Sequence, residues 1–295
     1  MMSIPLALRD RVRWFGIGLG LVNIDAGAKS PQRLLAQRRK ARGKTGHIAL
    51  VGAGPGAVDL LTMRAIDRIR QADIVLYDRL ISDEVLDIIP QGVETVYVGK
   101  AVGACTWPQD KIDQLIVEEA RKGRRVVRLK SGDPSIFGRA SEEIDAARAA
   151  DIPVEIIPGI TAASAAAASL TRPLTERGET DTFVLTTGTC RPGDAPSDRT
   201  RFARPGTSMA FYMAVERAAE IQRDLLKAGV PPDCAVDVVG SVSTAHERQG
   251  HMTLGRLSED IAAQGLQSPA VILIRYPKQA KAALSRKAAR KAIAG

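Results

Sequence analysis

From residue 47 onward, short runs of β-branched and aliphatic residues alternate with longer stretches in which apolar positions recur every three or four residues. The runs at 47–51, 74–77, 95–98, 125–129 and 154–157 read as strands. The stretches between them, at 60–71, 83–88, 109–122 and 141–150, read as helices. In the first of these, Leu61, Ala65, Ile66 and Ile69 fall on one face while Arg64, Asp67, Arg68 and Arg70 fall on the other. Strict alternation of this kind predicts a mostly parallel sheet with helices on both faces. The alanine-rich run at 161–169 reads as a closely packing helix ended by Arg172-Pro173.

Beyond Gly178 the texture changes. Strands are expected at 182–187, 208–213, 235–239 and 270–275, with helices at 214–228 and 257–264. The segment 191–204, with two prolines and several charges, reads as an exposed insertion. The expected organisation is a basic extension at 1–45, an α/β domain at 46–170, a second α/β domain at 171–277 and a basic tail at 278–295. The ligand site is expected in the cleft between the two domains.

The chain has 295 residues and a formal charge of +9, which invites a nucleic-acid reading. The position of the charge argues against it. Residues 1–46 carry ten Lys/Arg against two Asp, and residues 278–295 carry six Lys/Arg and no acid. The two ends therefore hold 14 net positive charges, and the body between them is five charges negative. Neither a nucleic acid nor a membrane is the expected partner, and no apolar run approaches the ~18 residues of a membrane span. The stretch 14–24 follows three arginines in the manner of a secretory leader, but Ala26-Gly27-Ala28-Lys29 makes a poor cleavage site and secretion is not expected. Cys105, Cys190 and Cys234 are widely spaced, which suggests neither a zinc site nor a disulfide framework and fits a reduced cytoplasm.

Three loops follow expected strands, where an open α/β sheet builds its ligand crevice. They are Val51-Gly52-Ala53-Gly54-Pro55-Gly56, Tyr77-Asp78-Arg79-Leu80 and Arg128-Leu129-Lys130-Ser131-Gly132-Asp133-Pro134. In the first, Gly52, Gly54 and Ala57 satisfy a dinucleotide fingerprint, which would make the protein an NAD-dependent oxidoreductase. Pro55 removes a backbone donor from that loop and suits it poorly to pyrophosphate. A tight strand-to-helix turn without a ligand is the plainer local reading.

These blocks, with Leu60-Leu61-Thr62, Val98-Gly99-Lys100, Pro108-Gln109, Ile136-Phe137-Gly138-Arg139, Glu142-Glu143, Pro158-Gly159-Ile160-Thr161-Ala162, Pro173-Leu174-Thr175 and Phe211-Tyr212-Met213, fall in the order found in uroporphyrinogen-III C-methyltransferases. The sequence resembles that family over about residues 46–275, including the form fused into siroheme synthase as its C-terminal half. The resemblance implies two α/β domains of the tetrapyrrole methylase type. It also implies transfer of methyl groups from S-adenosyl-L-methionine to C2 and C7 of uroporphyrinogen III, giving precorrin-2 for siroheme or cobalamin. The expected partners are the tetrapyrrole and a second copy of the chain in a homodimer.

By the same resemblance, Pro55, Ser131, Gly132, Asp133, Ile136, Thr161, Ala162 and Met213 belong to the S-adenosylmethionine pocket, with Gly240 as a further candidate. Asp78 matches the proton acceptor and Lys100 the proton donor. Arg139, Glu142 and Arg177 match substrate-facing positions. Local readings stand beside these. Asp133 is also placed to cap the next turn, Asp78 and Lys100 to form a surface ion pair, and Arg139 with Glu142 to form an i,i+3 salt bridge.

The departures fall mostly on the substrate side. Ser131 stands where the family has the first glycine of Gly-Gly-Asp-Pro, and Glu176 where it has a histidine. Thr189 replaces the histidine of Thr-Gly-His, and Gly240-Ser241-Val242-Ser243 replaces Glu-Asn-Gly-Thr. They keep open a later precorrin methyltransferase or a catalytically impaired tetrapyrrole-binding homologue. Arg11-Val12-Arg13-Trp14-Phe15 resembles the helix that precedes the methyltransferase half of siroheme synthases.

Overall fold

The computed structural model describes residues 46–99, 107–190, 193 and 198–278. The basic N-terminal extension with its 11–15 string, Cys105, the tail beyond Lys278 and most of 191–197 lie outside the described residues.

The first sheet comprises β1 (His47–Gly52), β2 (Ile74–Tyr77), β3 (Glu94–Tyr97), β4 (Arg125–Lys130) and β5 (Val154–Ile157). Its order is β3-β2-β4-β1-β5 and every pairing is parallel, as the alternation predicts. Helices α1 (Met63–Gln71) and α2 (Asp83–Asp87) lie toward one face, and α3 (Gln109–Arg121) and α4 (Ala140–Ala149) toward the other. Alternate residues of one strand therefore serve two cores: Val127 and Leu129 join the α1 side, and Val126 joins the α3/α4 side. Helix α1 begins three residues later than its periodicity suggests. Val58–Leu60 forms a 3-10 turn, and the Thr62 side chain accepts a hydrogen bond from the Ala65 N–H at 3.1 Å, fixing the start.

The second sheet comprises β6 (Thr182–Thr187), β7 (Thr207–Tyr212), β8 (Ala235–Gly240), β9 (Arg248–Thr253) and β10 (Ala270–Tyr276), in the order β6-β7-β10-β8-β9. Only β6 and β7 are parallel. One face is covered by α6 (Ala218–Lys227) and α7 (Leu257–Ala263). The other receives α5 (Ala162–Ser169), whose alanines pack on Ala210, Val239, Val271 and Leu273. The small side chains let this helix lie close to the sheet. Strand β9 is absent from the sequence expectations because it is an edge whose pattern is weak: only Gly250 and Met252 are buried among Arg248, Gln249 and His251. The 191–204 segment is not wholly an exposed insertion. Arg199 is buried and donates to Asp224 Oδ2 at 2.8 Å and to the Gly188 carbonyl at 3.1 Å. Among the described residues no helix is long and apolar enough to cross a membrane.

Candidate functional site

The site begins where the central strands β1 and β4 end. Just beyond them, Gly54 and Gly132 exchange both backbone hydrogen bonds, at 3.2 and 2.7 Å. Gly132 has φ +67°, a left-handed conformation that favours glycine. The chain leaving β5 closes in from the other side: a Cβ added to Gly159 would lie 2.1 Å from the Gly132 carbonyl oxygen. Three backbone segments thus form a floor with no side chain between them. Ser131 is accommodated because the left-handed position belongs to Gly132 and Ser131 itself keeps a negative φ.

The dinucleotide reading fails on the same geometry. The loop through Pro55 leads into the 3-10 turn at Val58–Leu60 and not into a helix N-terminus. It offers no helix dipole for a pyrophosphate.

Asp133 follows the floor and is held from two sides. Its Oδ1 accepts the Ser135 N–H at 2.7 Å and its Oδ2 accepts the Gly159 N–H at 3.0 Å. The capping role read from the sequence is therefore filled, and the carboxylate also ties the β4 loop to the β5 loop. Ile136 turns back on the Asp133 carbonyl. Phe137, at φ +51°, sets its ring 5.2 Å from that of Tyr212.

Thr161 and Ala162 open α5 beside this floor. The Thr161 side chain does not cap the helix. Instead, the Tyr212 hydroxyl accepts the Ala163 N–H at 2.9 Å and sits 2.6 Å from Thr161 Oγ1. Burial pushes the Tyr212 phenol up, with these two hydrogen bonds pulling the other way. Met213 follows at φ +49°, about half exposed, with the Thr189 hydroxyl 3.8 Å from its sulfur.

The opposite wall is the loop after β8. Gly240 need not be glycine for space, because an added Cβ would meet nothing nearer than 3.5 Å. The left-handed positions are Ser241 (φ +46°) and Ser243 (φ +60°). Glu247 holds this loop: it accepts the Ser243 N–H at 2.7 Å, Gln249 Nε2 at 2.9 Å and the Ser169 hydroxyl. Burial raises its carboxyl, but these hydrogen bonds outweigh burial and leave it below the usual range. The loop closes on the first glycine segment, where a Cβ on Gly56 would lie 2.6 Å from Thr244 Cγ2.

Asp78 stands one residue beyond β2 and is part-exposed. Its Oδ1 accepts the Leu80 N–H at 3.1 Å, and its Oδ2 lies 3.2 Å from Arg128 Nη2. Behind it lies a cluster absent from the sequence expectations. Arg128 Nε donates to Glu143 Oε1 at 3.1 Å, and Lys130 Nζ reaches both Glu143 oxygens at 2.8 Å. All three side chains are buried, and burial holds the Lys130 amine below its usual value. The available signal was Arg128 and Lys130 at alternate positions in the buried stretch of β4, a pattern that demands a buried anion.

Lys100 lies outside the described residues. Arg139 donates to Glu142 through Nε and Nη2, at 2.8 and 2.9 Å, and both residues are exposed. The local i,i+3 salt bridge is thus formed. Arg177 is exposed, and among the described residues no hydrogen bond or ion pair joins it to the other candidate residues. Glu176 is paired with Arg275 at 2.8 Å, which offsets its charge.

Residues 47–258 match the model of the tetrapyrrole (corrin/porphyrin) methylases. The chain belongs to this family. Among tetrapyrrole methylases, it is 43% identical over 238 residues to a uroporphyrinogen-III C-methyltransferase of Paracoccus denitrificans, covering 80% of this chain and 83% of that one. It is 40% identical over 229 residues to siroheme synthase 2 of Yersinia enterocolitica, covering 78% of this chain. It spans only about half of that relative, 48% of its length. A crystal structure of uroporphyrin-III C-methyltransferase from Thermus thermophilus, complexed with S-adenosyl homocysteine, superposes with a TM-score of 0.67 at 36% identity, covering 78% of this chain and 92% of that one. The methylase architecture of two α/β halves accounts for both sheets.

Proposed function

We propose that this methylase transfers methyl groups from S-adenosyl-L-methionine to C2 and C7 of uroporphyrinogen III, giving precorrin-2. The observation that carries the reading is the side-chain-free floor made by Gly54, Gly132 and Gly159, with Asp78 beyond the end of the neighbouring strand β2. A floor without Cβ atoms suits a ligand that must approach backbone closely, and the family match supports that ligand being the methyl donor. The donor supplies an already activated sulfonium methyl.

The protein's part is alignment, exclusion of water and proton handling. Ser131, Gly132, Asp133 and Ile136 would border the donor on one side, Thr161 and Ala162 on a second, and Pro55, Met213 and Gly240 at the margins. A pyrrole carbon forms the new bond to the methyl carbon, and the electron pair of the broken bond stays on sulfur. The ring is left positively charged and sheds a proton, for which the Asp78 carboxylate is the acceptor and Lys100 the complementary donor. Arg139, released from Glu142, and Arg177 would meet substrate carboxylates, for which the guanidinium fork is well shaped. The same reading makes the protein a cytoplasmic homodimer that hands precorrin-2 on toward siroheme or cobalamin.

Under anaerobic conditions, label should pass from methyl-labelled S-adenosylmethionine to uroporphyrinogen III in the presence of this protein. Donor binding with no transfer of label would contradict the reading.

A further inference from the structure

Glu143 carries one negative charge in a fully buried position, and two buried cations face it. Lys130 alone would neutralise it, with Nζ 2.8 Å from both oxygens. Arg128 therefore brings a surplus positive charge into a region where unpaired charge is costly. The guanidinium resolves this by pointing in three directions. Nε goes to Glu143 at 3.1 Å, Nη1 to the Leu129 carbonyl at 2.7 Å, and Nη2 to Asp78 Oδ2 at 3.2 Å. With its fork fixed at two buried points, the third is set in space. Gln109, from the start of α3, donates to Glu143 Oε1, the oxygen that also accepts Arg128 Nε, at 3.5 Å and to Asp113 at 2.8 Å, so the anion is held from β4 and α3 together.

We propose that Arg128 is a positioning residue for the Asp78 carboxylate, and that Glu143, clamped by Lys130, is the buried anchor that aims it. The inference rests on the methyltransferase reading, in which Asp78 takes the substrate proton. Among the described residues, the Asp78 side chain makes one local hydrogen bond, accepting the Leu80 N–H at Oδ1. Arg128 supplies its second point of attachment. A carboxylate held at two points keeps one orientation toward the ring that must lose the proton.

The test uses Arg128→Met and Arg128→Lys in the full chain. The methionine form leaves Glu143 and Lys130 as a balanced pair, and the lysine form keeps the charge but has no fork. Both are expected to bind S-adenosylhomocysteine within about threefold of wild type in calorimetry, while kcat falls by about tenfold to a hundredfold, as for a misplaced catalytic group. In an Asp78→Asn background, neither change should lower kcat by more than about a further threefold, since the groups act as one unit. Unchanged kcat, losses that multiply in the double variants, or loss of S-adenosylhomocysteine binding in both single variants would each overturn the proposal. A wild-type protein that binds the donor product but methylates nothing would overturn the underlying reading instead, and with it this inference.

Discussion

The Tyr212 hydroxyl lies 2.6 Å from Thr161 Oγ1 and accepts the N–H of Ala163 at 2.9 Å. One phenol on the last residue of β7 thereby caps the helix that begins beside the glycine floor. Tyr212→Phe keeps the ring against Phe137 and removes both hydrogen bonds. Leaving those partners unsatisfied should cost about 1–3 kcal/mol. The expected result is a lower unfolding midpoint in urea with an unchanged slope. It should also weaken S-adenosylhomocysteine binding, because Thr161 loses its tether. Equal stability and affinity would show that water replaces the phenol without loss.

The glycines of the floor are not equivalent. An added Cβ at Gly132 meets nothing nearer than 3.8 Å, so Gly132→Ala suffers only from its left-handed backbone, about 1–2 kcal/mol. At Gly159 the Cβ would lie 2.1 Å from a carbonyl oxygen and 2.9 Å from Gly52 Cα. That change cannot be absorbed without parting the two loops. Gly132→Ala should fold yet weaken S-adenosylhomocysteine binding, because its Cβ would stand on the floor that the donor approaches, whereas Gly159→Ala should lose S-adenosylhomocysteine binding even where circular dichroism shows it folded.

Asp133 ties the β4 loop to the β5 loop through Gly159 N–H. Asp133→Ala should weaken S-adenosylhomocysteine binding by about tenfold or more, the equivalent of one charge-assisted hydrogen bond. Unaltered affinity in calorimetry would remove Asp133 from the donor site.

The Asp113 carboxyl is raised, chiefly by burial, with the Gln109 amide opposing. A raised carboxyl favours its neutral form in the folded state. Its stabilising contribution is therefore present below the ordinary value of 3.8 and is lost as pH rises through the folded value. Asp113→Asn keeps an acceptor for Gln109 and removes the charge. It should melt higher than wild type at neutral pH, and the gain should vanish in acid below the ordinary carboxyl range.

Much of this architecture was legible in the pattern of side chains. The five strands of the first sheet, the helices between them and the alanine helix follow from periodicity, because a parallel sheet buried on both faces leaves little room for polar residues. Strand β9 escaped because an edge strand with one buried face shows only Gly250 and Met252 as apolar signal. Among the candidate site residues, Asp78, Gly132, Thr161 and Met213 stand at the ends of strands or the start of a helix, where short motifs mark them. Residues such as Glu143 and Tyr212 act through partners far along the chain, and sequence spacing carries no trace of a contact 15 or 49 residues away. The pairing of Arg139 with Glu142 was legible because it is local to one helix start.

The most direct test of the central claim is the mass of the tetrapyrrole after anaerobic incubation of uroporphyrinogen III and S-adenosylmethionine with the purified protein. The account predicts a product heavier by two methyl groups, with S-adenosylhomocysteine released in step. A tetrapyrrole of unchanged mass, with S-adenosylhomocysteine binding intact, would contradict it.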